Sequence, residues 1–267
     1  MIESLLALLL GLLIGSFLNV CIYRWPRDLS VVRPRSHCTA CEAPIAAFDN
    51  IPLVSYLLLR GRCRKCGARI PARYPAVELV TGLLFFYFVW TFGVTAMAAK
   101  LCCLSAMLVA LVFTDLEARI LPDEFTVGGT VLGLIFALFV QVPDITAAAV
   151  LWLVGLEVTG RWASLAESVV GATLPALFLW GGGWLYYKIR HREGLGLGDV
   201  KLVMMVGSFL GMRGALITLI FGSVAGSILG YSYIKATKQD PNTYELPFGT
   251  FLGAAALLAA VVSRSWQ

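Results

Sequence analysis

The feature that most constrains this chain is a succession of apolar stretches, near 5–22, 76–93, 95–114, 124–142, 168–188, 200–211, 214–234 and 247–263. A bilayer core takes roughly 20 apolar residues as a helix. The chain therefore reads as an all-α, polytopic membrane bundle of about eight spans. Composition agrees with that class. Only 14% of residues are charged and 59% are hydrophobic, whereas an ordinary soluble domain carries about a quarter charged residues. Two segments leave the count open. Residues 200–211 are short for a full crossing. Residues 144–165 begin apolar but run into Glu157 and Arg161, and read as a surface or re-entrant piece.

Charge placement orients the bundle. Glu3 precedes the first stretch while Arg24 and Arg27 follow it, the reverse of a cleavable signal, whose positive charge comes first. The first helix thus reads as uncleaved, with its N-terminus outside. Eight spans then put 24–75, 115–123, 189–199 and 235–246 in the cytoplasm. Seventeen of the 21 Lys and Arg residues fall in or beside those segments, as the positive-inside rule requires. The net charge of +5 is thereby spent on topology, and nucleic acid is not an expected partner.

The one long polar segment, 24–75, carries four of the seven cysteines as Cys38-Thr-Ala-Cys41 and Cys63-Arg-Lys-Cys66, with 21 residues between the pairs. Two close thiol pairs separated by a loop suit a closed, tetrahedral four-thiolate zinc site. Arg35, Arg62, Arg64 and Lys65 favour the thiolates electrostatically. A segment with so few apolar residues gains folding energy from a metal. Disulfides are disfavoured in a cytoplasmic segment. Four thiolates leave no open coordination position, so the expected role is structural; His37 reads as a bystander.

Acidic residues are scarce, and one inside or beside a span is a functional candidate. Asp115 closes the third stretch, and Asp199 follows Gly194-Leu195-Gly196-Leu197-Gly198 at the start of the sixth. The span count places both at the cytoplasmic boundary. Two carboxyl groups at one low-dielectric site share a proton; one activates water while its partner protonates a peptide carbonyl and then the leaving amine. Spacing alone leaves other readings open. Asp199 is also a fitting helix N-cap, and Asp115 an interfacial residue paired with Arg119. Glu78 and Glu245 read either as part of such a site or as interfacial polar residues.

Several motifs in order carry a resemblance to the bacterial type IV prepilin peptidases over nearly the whole chain. They are Gly15-Ser16-Phe17-Leu18-Asn19-Val20, Tyr23-Arg24, Pro26, Asn50-Ile51-Pro52-Leu53-Val54-Ser55-Tyr56, Leu59-Arg60-Gly61-Arg62-Cys63 and Arg73-Tyr74-Pro75-Ala76-Val77-Glu78-Leu79. The Asp115 motif with Leu121-Pro122, Gly196-Leu197-Gly198-Asp199-Val200-Lys201-Leu202 and Leu246-Pro247-Phe248-Gly249 complete them. Two departures are Thr39, where proline is common, and a longer, more polar 144–167.

The resemblance implies that Asp115 and Asp199 are the catalytic pair of a Gly-x-Gly-Asp intramembrane aspartyl protease, and that Asp123 is not. It implies cleavage of the leader from type IV prepilins or secretion pseudopilins in the bacterial inner membrane. In many members it also implies N-methylation of the new N-terminus with S-adenosylmethionine. The paired cysteines match the longer, bacterial form. No nucleotide-binding fingerprint is visible, so no residue is assigned to the methyl donor. The expected organisation is a first transmembrane helix (1–23), a cytoplasmic zinc module (24–75) and a transmembrane peptidase core (76–267). Two readings compete. A transporter predicts pseudo-symmetric halves with midplane carboxylates, and a non-enzymatic assembly platform gives the aspartates no task.

Overall fold

The computed structural model describes residues 1–142, 146–153, 155, 159–192, 194–238 and 246–262. Nine α-helices account for most of them: α1 (Ile2–Arg24), α2 (Val54–Leu58), α3 (Arg73–Phe92), α4 (Ala96–Ala118), α5 (Asp123–Ala137), α6 (Thr146–Leu153), α7 (Arg161–Arg190), α8 (Leu197–Thr237) and α9 (Phe248–Val262). There is no β-strand among the described residues, only two isolated bridges. Five of these helices, α1, α3, α4, α7 and α8, are long and apolar enough to cross a membrane. The expected all-α membrane bundle is what the chain forms. It divides into two compact units, Met1–Thr114 and Asp115–Gln267.

In the first unit α1 lies against α3. A methyl group on Gly11 would sit 2.8 Å from the Gly82 Cα, and one on Gly15 would sit 2.7 Å from the Glu78 Cα. Lipid offers no hydrophobic drive for helices to associate, so close backbone approach at small residues supplies the packing. The polar segment between these helices is tied to both. Arg24, 5% exposed, donates to the carbonyls of Ser30 and Pro34 at 2.8 Å each. The Leu53 amide donates to Glu78 Oε2 at 2.8 Å. In α4, Leu101, Leu104, Leu108 and Leu111 are buried, a helical spacing that marks one inward face.

In the second unit α7 and α8 cross at Gly171, Gly207 and Gly211. A methyl on Gly171 would meet the Gly211 backbone at 2.5 Å, and one on Gly207 would overlap the Gly171 carbonyl. Ser168 Oγ donates to the Ser208 carbonyl at 2.5 Å beside that crossing. α8 breaks at Gly211, whose φ of 74° and ψ of −172° interrupt the helix, a backbone state open to glycine. The halves, 197–210 and 212–237, coincide with the expected short sixth and longer seventh stretches. In the first half Leu202, Val203, Met205 and Val206 are all fully buried; apolar on several sides, it is an inner helix of its unit.

The ambiguous 144–165 is partly helical, as α6 and the first turn of α7. Residues 143–145, 154 and 156–158 fall outside the described set. α7 also takes in Glu167, which is buried and accepts the Ala147 amide at 2.9 Å. Ser164 Oγ accepts the Val142 amide at 3.0 Å and donates to the Val140 carbonyl at 3.2 Å. Ser164 and Glu167 thus bond buried backbone groups, whereas Arg161, one of the charged residues behind the surface reading, is exposed and Glu157 lies outside the described residues.

Candidate active site

Asp115 stands one turn before the end of α4, which closes at Ala118 with Arg119 in the left-handed region (φ 55°). Its side chain is 5% exposed. The Thr250 amide donates to Asp115 Oδ2 at 2.6 Å and the Thr250 hydroxyl donates to the same oxygen at 2.8 Å. Thr250 lies in the first turn of α9, where backbone amides have no intrahelical acceptor. Asp115 therefore caps α9 from another helix. Gly249 makes the room, since a methyl there would lie 3.1 Å from the Asp115 Cγ.

Asp199 is the third residue of α8 and is 9% exposed. The helix N-cap is Gly196, with no side-chain cap bond, so Asp199 does not have the N-cap role. Its amide donates to the Gly196 carbonyl at 3.2 Å, and its Oδ2 lies 3.4 Å from where a Gly196 methyl would be. Leu121 bridges the two aspartate neighbourhoods. Its side chain would meet a methyl on Gly198 at 3.1 Å and one on Gly249 at 2.9 Å. The Asp115 and Asp199 carboxyl groups are within Coulombic reach of one another. Two residues 84 positions apart in sequence thus form one buried acidic pair, fenced by glycine backbone on two sides.

The other acidic candidates stand elsewhere. Asp123 opens α5 and points to solvent, its side chain 62% exposed and paired with Lys201 Nζ at 2.7 and 2.8 Å. Glu78 belongs to the first unit and holds the Leu53 amide. Glu245 lies outside the described residues. Thr250 was missed in the sequence. Its signal was the Leu246-Pro247-Phe248-Gly249 motif directly before it, whose proline starts a helix and whose glycine admits a carboxylate.

The four cysteines converge in the first unit, with sulfurs all within 4.8 Å of one another. They sit on two matching turns. The Cys38 amide donates to the Ala43 carbonyl at 2.9 Å, and the Cys63 amide to the Ala68 carbonyl at 2.8 Å. Glu42 and Gly67, each just after the second cysteine of its pair, both have φ in the left-handed region, 55° and 71°. Cys38 Sγ is 3.9 Å from Cys66 Sγ. Thiolates 2.3 Å from a tetrahedral zinc stand about 3.8 Å apart, so the cluster fits such an ion. The backbone amides of Cys66 and Lys65 push the Cys63 thiol down to about 6. Cys66 is pushed up to about 11; the Ala68 amide lowers it, but the thiols of Cys41, Cys63 and Cys38 and burial outweigh that amide. Arg64 holds Asp49 through two short bonds, Nη2 to Oδ1 at 2.7 Å and Nε to Oδ2 at 2.9 Å, bracing the second turn against 47–50.

Two family models match the chain in order. The bacterial peptidase A24 N-terminal domain covers residues 9–92, and the type IV leader peptidase family covers 102–231. A protein of Stutzerimonas stutzeri named prepilin leader peptidase/N-methyltransferase is 35% identical over 96% of this chain and 89% of its own length. The chain belongs to the type IV leader peptidase family. Other members of that name include one from Myxococcus xanthus, 39% identical over 90% of this chain and 67% of its own, and one from Neisseria gonorrhoeae, 34% identical over 84% and 79%. No solved structure matches the chain significantly. Both aspartates of the acidic pair fall inside the leader-peptidase match, and all four cysteines fall inside the N-terminal one.

Proposed function

We propose that this protein is a membrane aspartyl endopeptidase that removes the leader from type IV prepilins and related pseudopilins, then N-methylates the exposed N-terminus. The observation that carries the peptidase reading is the buried pairing of Asp115 and Asp199 around Leu121, with Thr250 holding one oxygen of Asp115. Membership of the leader-peptidase family supports the substrate class, and the names of the relatives support both activities.

The geometry suits general acid–base hydrolysis. Asp115 Oδ2 is committed to Thr250, which fixes the carboxyl plane and leaves Oδ1 for a water. One carboxylate takes a proton from that water as its oxygen attacks the scissile carbonyl. The other donates a proton to the carbonyl oxygen, and the amine leaves protonated when the tetrahedral adduct collapses. Glycines 196, 198 and 249 carry no side chain that would keep an extended substrate backbone from the acids.

Cys38, Cys41, Cys63 and Cys66 hold zinc in a closed structural site of segment 24–75. S-adenosylmethionine supplies the methyl group. The protein lies in the bacterial inner membrane with its N-terminus outside and both chemistries at the cytoplasmic face, where a polar leader meets an apolar pilin helix. The division into a first helix (1–23), a zinc module (24–75) and a peptidase core (76–267) belongs to the same reading. Among the described residues nothing favours a transporter or a non-enzymatic platform. The deciding experiment is co-expression with a prepilin, reading leader loss by intact mass in the wild type and in Asp115→Asn and Asp199→Asn.

A further inference from the structure

The Met1–Thr114 unit contains a cavity of about 370 Å³, bounded by the end of α1, the loops between α1 and α3, and the start of α3. That volume falls among small-molecule sites, roughly 300–1,000 Å³. Two buried polar side chains line it with bonding capacity unspent. Asn19 is 2% exposed, and its Nδ2 donates to the Tyr74 carbonyl at 3.0 Å and the Gly15 carbonyl at 3.3 Å. Those two acceptors fix which end of the amide is nitrogen. The opposite atom, Oδ1, is buried without a hydrogen-bond partner. Buried acceptors are normally satisfied, so this one calls for a donor from outside the chain.

Glu78 lines the same cavity and is 8% exposed. Its carboxyl group meets the Leu53 amide and the Ser16 side chain, both neutral donors. A buried carboxylate is ordinarily matched by a cation. Tyr23, Phe48, Tyr56 and Tyr74 complete this part of the wall. Three of these rings already face a guanidinium, Tyr23 that of Arg27, Phe48 that of Arg64 and Tyr74 that of Arg73, which leaves Tyr56 as the ring to stack on a purine. Arg24, Arg64, Lys65 and Arg69 line the cavity as well, so its wall carries both charges and suits a nucleoside-sized ligand with a positive centre, an anionic group, N–H donors and a flat ring.

We infer that this cavity binds S-adenosylmethionine, with Glu78 facing its positive charge, Asn19 Oδ1 accepting one of its N–H groups, and Tyr56 stacking on its ring. The inference rests on the methyl-transfer reading above and assigns that activity to residues of the first unit. In the transfer the lone pair of the substrate amine bonds to the methyl carbon as the electrons of the carbon–sulfur bond return to sulfur. S-adenosylhomocysteine is left, and the amine loses a proton to water. A free peptide N-terminus is also cationic and would satisfy Glu78, so a pilin N-terminal peptide is included among the probes.

The test is equilibrium binding to the full-length, zinc-loaded protein in detergent, with S-adenosylmethionine, S-adenosylhomocysteine and that peptide as probes. Wild type binds both nucleosides and prefers the sulfonium form. Glu78→Gln, which keeps the shape and the bond from Leu53, is expected to weaken S-adenosylmethionine by about tenfold or more and to erase that preference. Asn19→Leu is expected to weaken both nucleosides. Zinc content and the thermal midpoint, measured on the same samples, report whether either variant is misfolded. Wild-type affinity in both variants, alongside methylation of a pre-cleaved pilin by the wild type, would place the donor elsewhere and leave the activity standing. A wild type that binds neither nucleoside and methylates nothing would remove both the cavity and the transferase reading. Loss of a pilin N-terminal peptide from Glu78→Gln, with nucleoside binding intact, would overturn the inference in favour of an amine site.

Discussion

Thr250 gives Asp115 two donors on one oxygen, and the hydroxyl is the half a side chain can remove. A hydrogen bond to a charged group is worth about 1.5–3 kcal/mol, which is roughly ten- to a hundredfold in rate if it is needed to orient the carboxyl. Thr250→Val is expected to slow leader cleavage by that factor and Thr250→Ser to restore most of it. Turnover by Thr250→Val equal to the wild type would leave the amide alone as the orienting group. Asp123→Asn is expected to change cleavage only a few-fold, because its exposed pair with Lys201 belongs to a class worth about 0–1 kcal/mol. Both aspartates were legible in the sequence because carboxylates are rare in apolar surroundings. Thr250 was not, since a threonine near a helix start is ordinary until its acceptor is known. That acceptor is 135 residues away. The orphaned oxygen of Asn19 was equally invisible, for a motif can mark an asparagine without saying which of its bonds is unmade.

At the scale of elements, hydropathy located α1, α3, α4, α5, α7, α9 and both halves of α8, because the period and length of an apolar run are local properties; it left α6 undecided, and five described helices rather than eight are long and apolar enough to cross a membrane. It misjudged where polarity is internal. The stretch read as a surface or re-entrant piece contains Ser164 and is followed by Glu167, and both satisfy backbone groups of neighbouring segments. The crossing of α7 and α8 was also hidden, since Gly171 and Gly207 matter only as a pair. Gly207→Ala is expected to lower stability by about 1–3 kcal/mol, as overpacking does, and to reduce the thermal midpoint in detergent. An unchanged midpoint would mean that the helices separate there at little cost. The cysteine turns invite a metal measurement. Purified protein should hold about one zinc per chain, and Cys38→Ser or Cys66→Ser should lower that content, while alanine at Cys21, Cys102 or Cys103 should not. Protons compete with zinc for thiolates. Cys63, pushed down to about 6, is ionised at neutral pH and takes up a proton as pH falls through that value. Apparent zinc affinity should therefore be higher at pH 8 than at pH 6, and equal affinity at both would argue against thiolate ligation.

For the whole molecule, the acidic pair lies in the Asp115–Gln267 unit, and the cysteine cluster and nucleoside-sized cavity lie in Met1–Thr114. The two chemistries should therefore be separable. Asp115→Asn, given an already cleaved pilin and S-adenosylmethionine, is expected to methylate it at near the wild-type rate, and the wild type is expected to cleave without the donor. Loss of methylation in a folded Asp115→Asn protein would make the two sites one. The central claim is that Asp115 and Asp199 together hydrolyse the leader bond, and intact mass spectrometry of a co-expressed prepilin measures it directly. The wild type should yield pilin lacking its leader, whereas Asp115→Asn and Asp199→Asn, each membrane-inserted and zinc-loaded, should leave the precursor mass unchanged. Mature pilin accumulating at near wild-type levels with either variant would contradict the assignment.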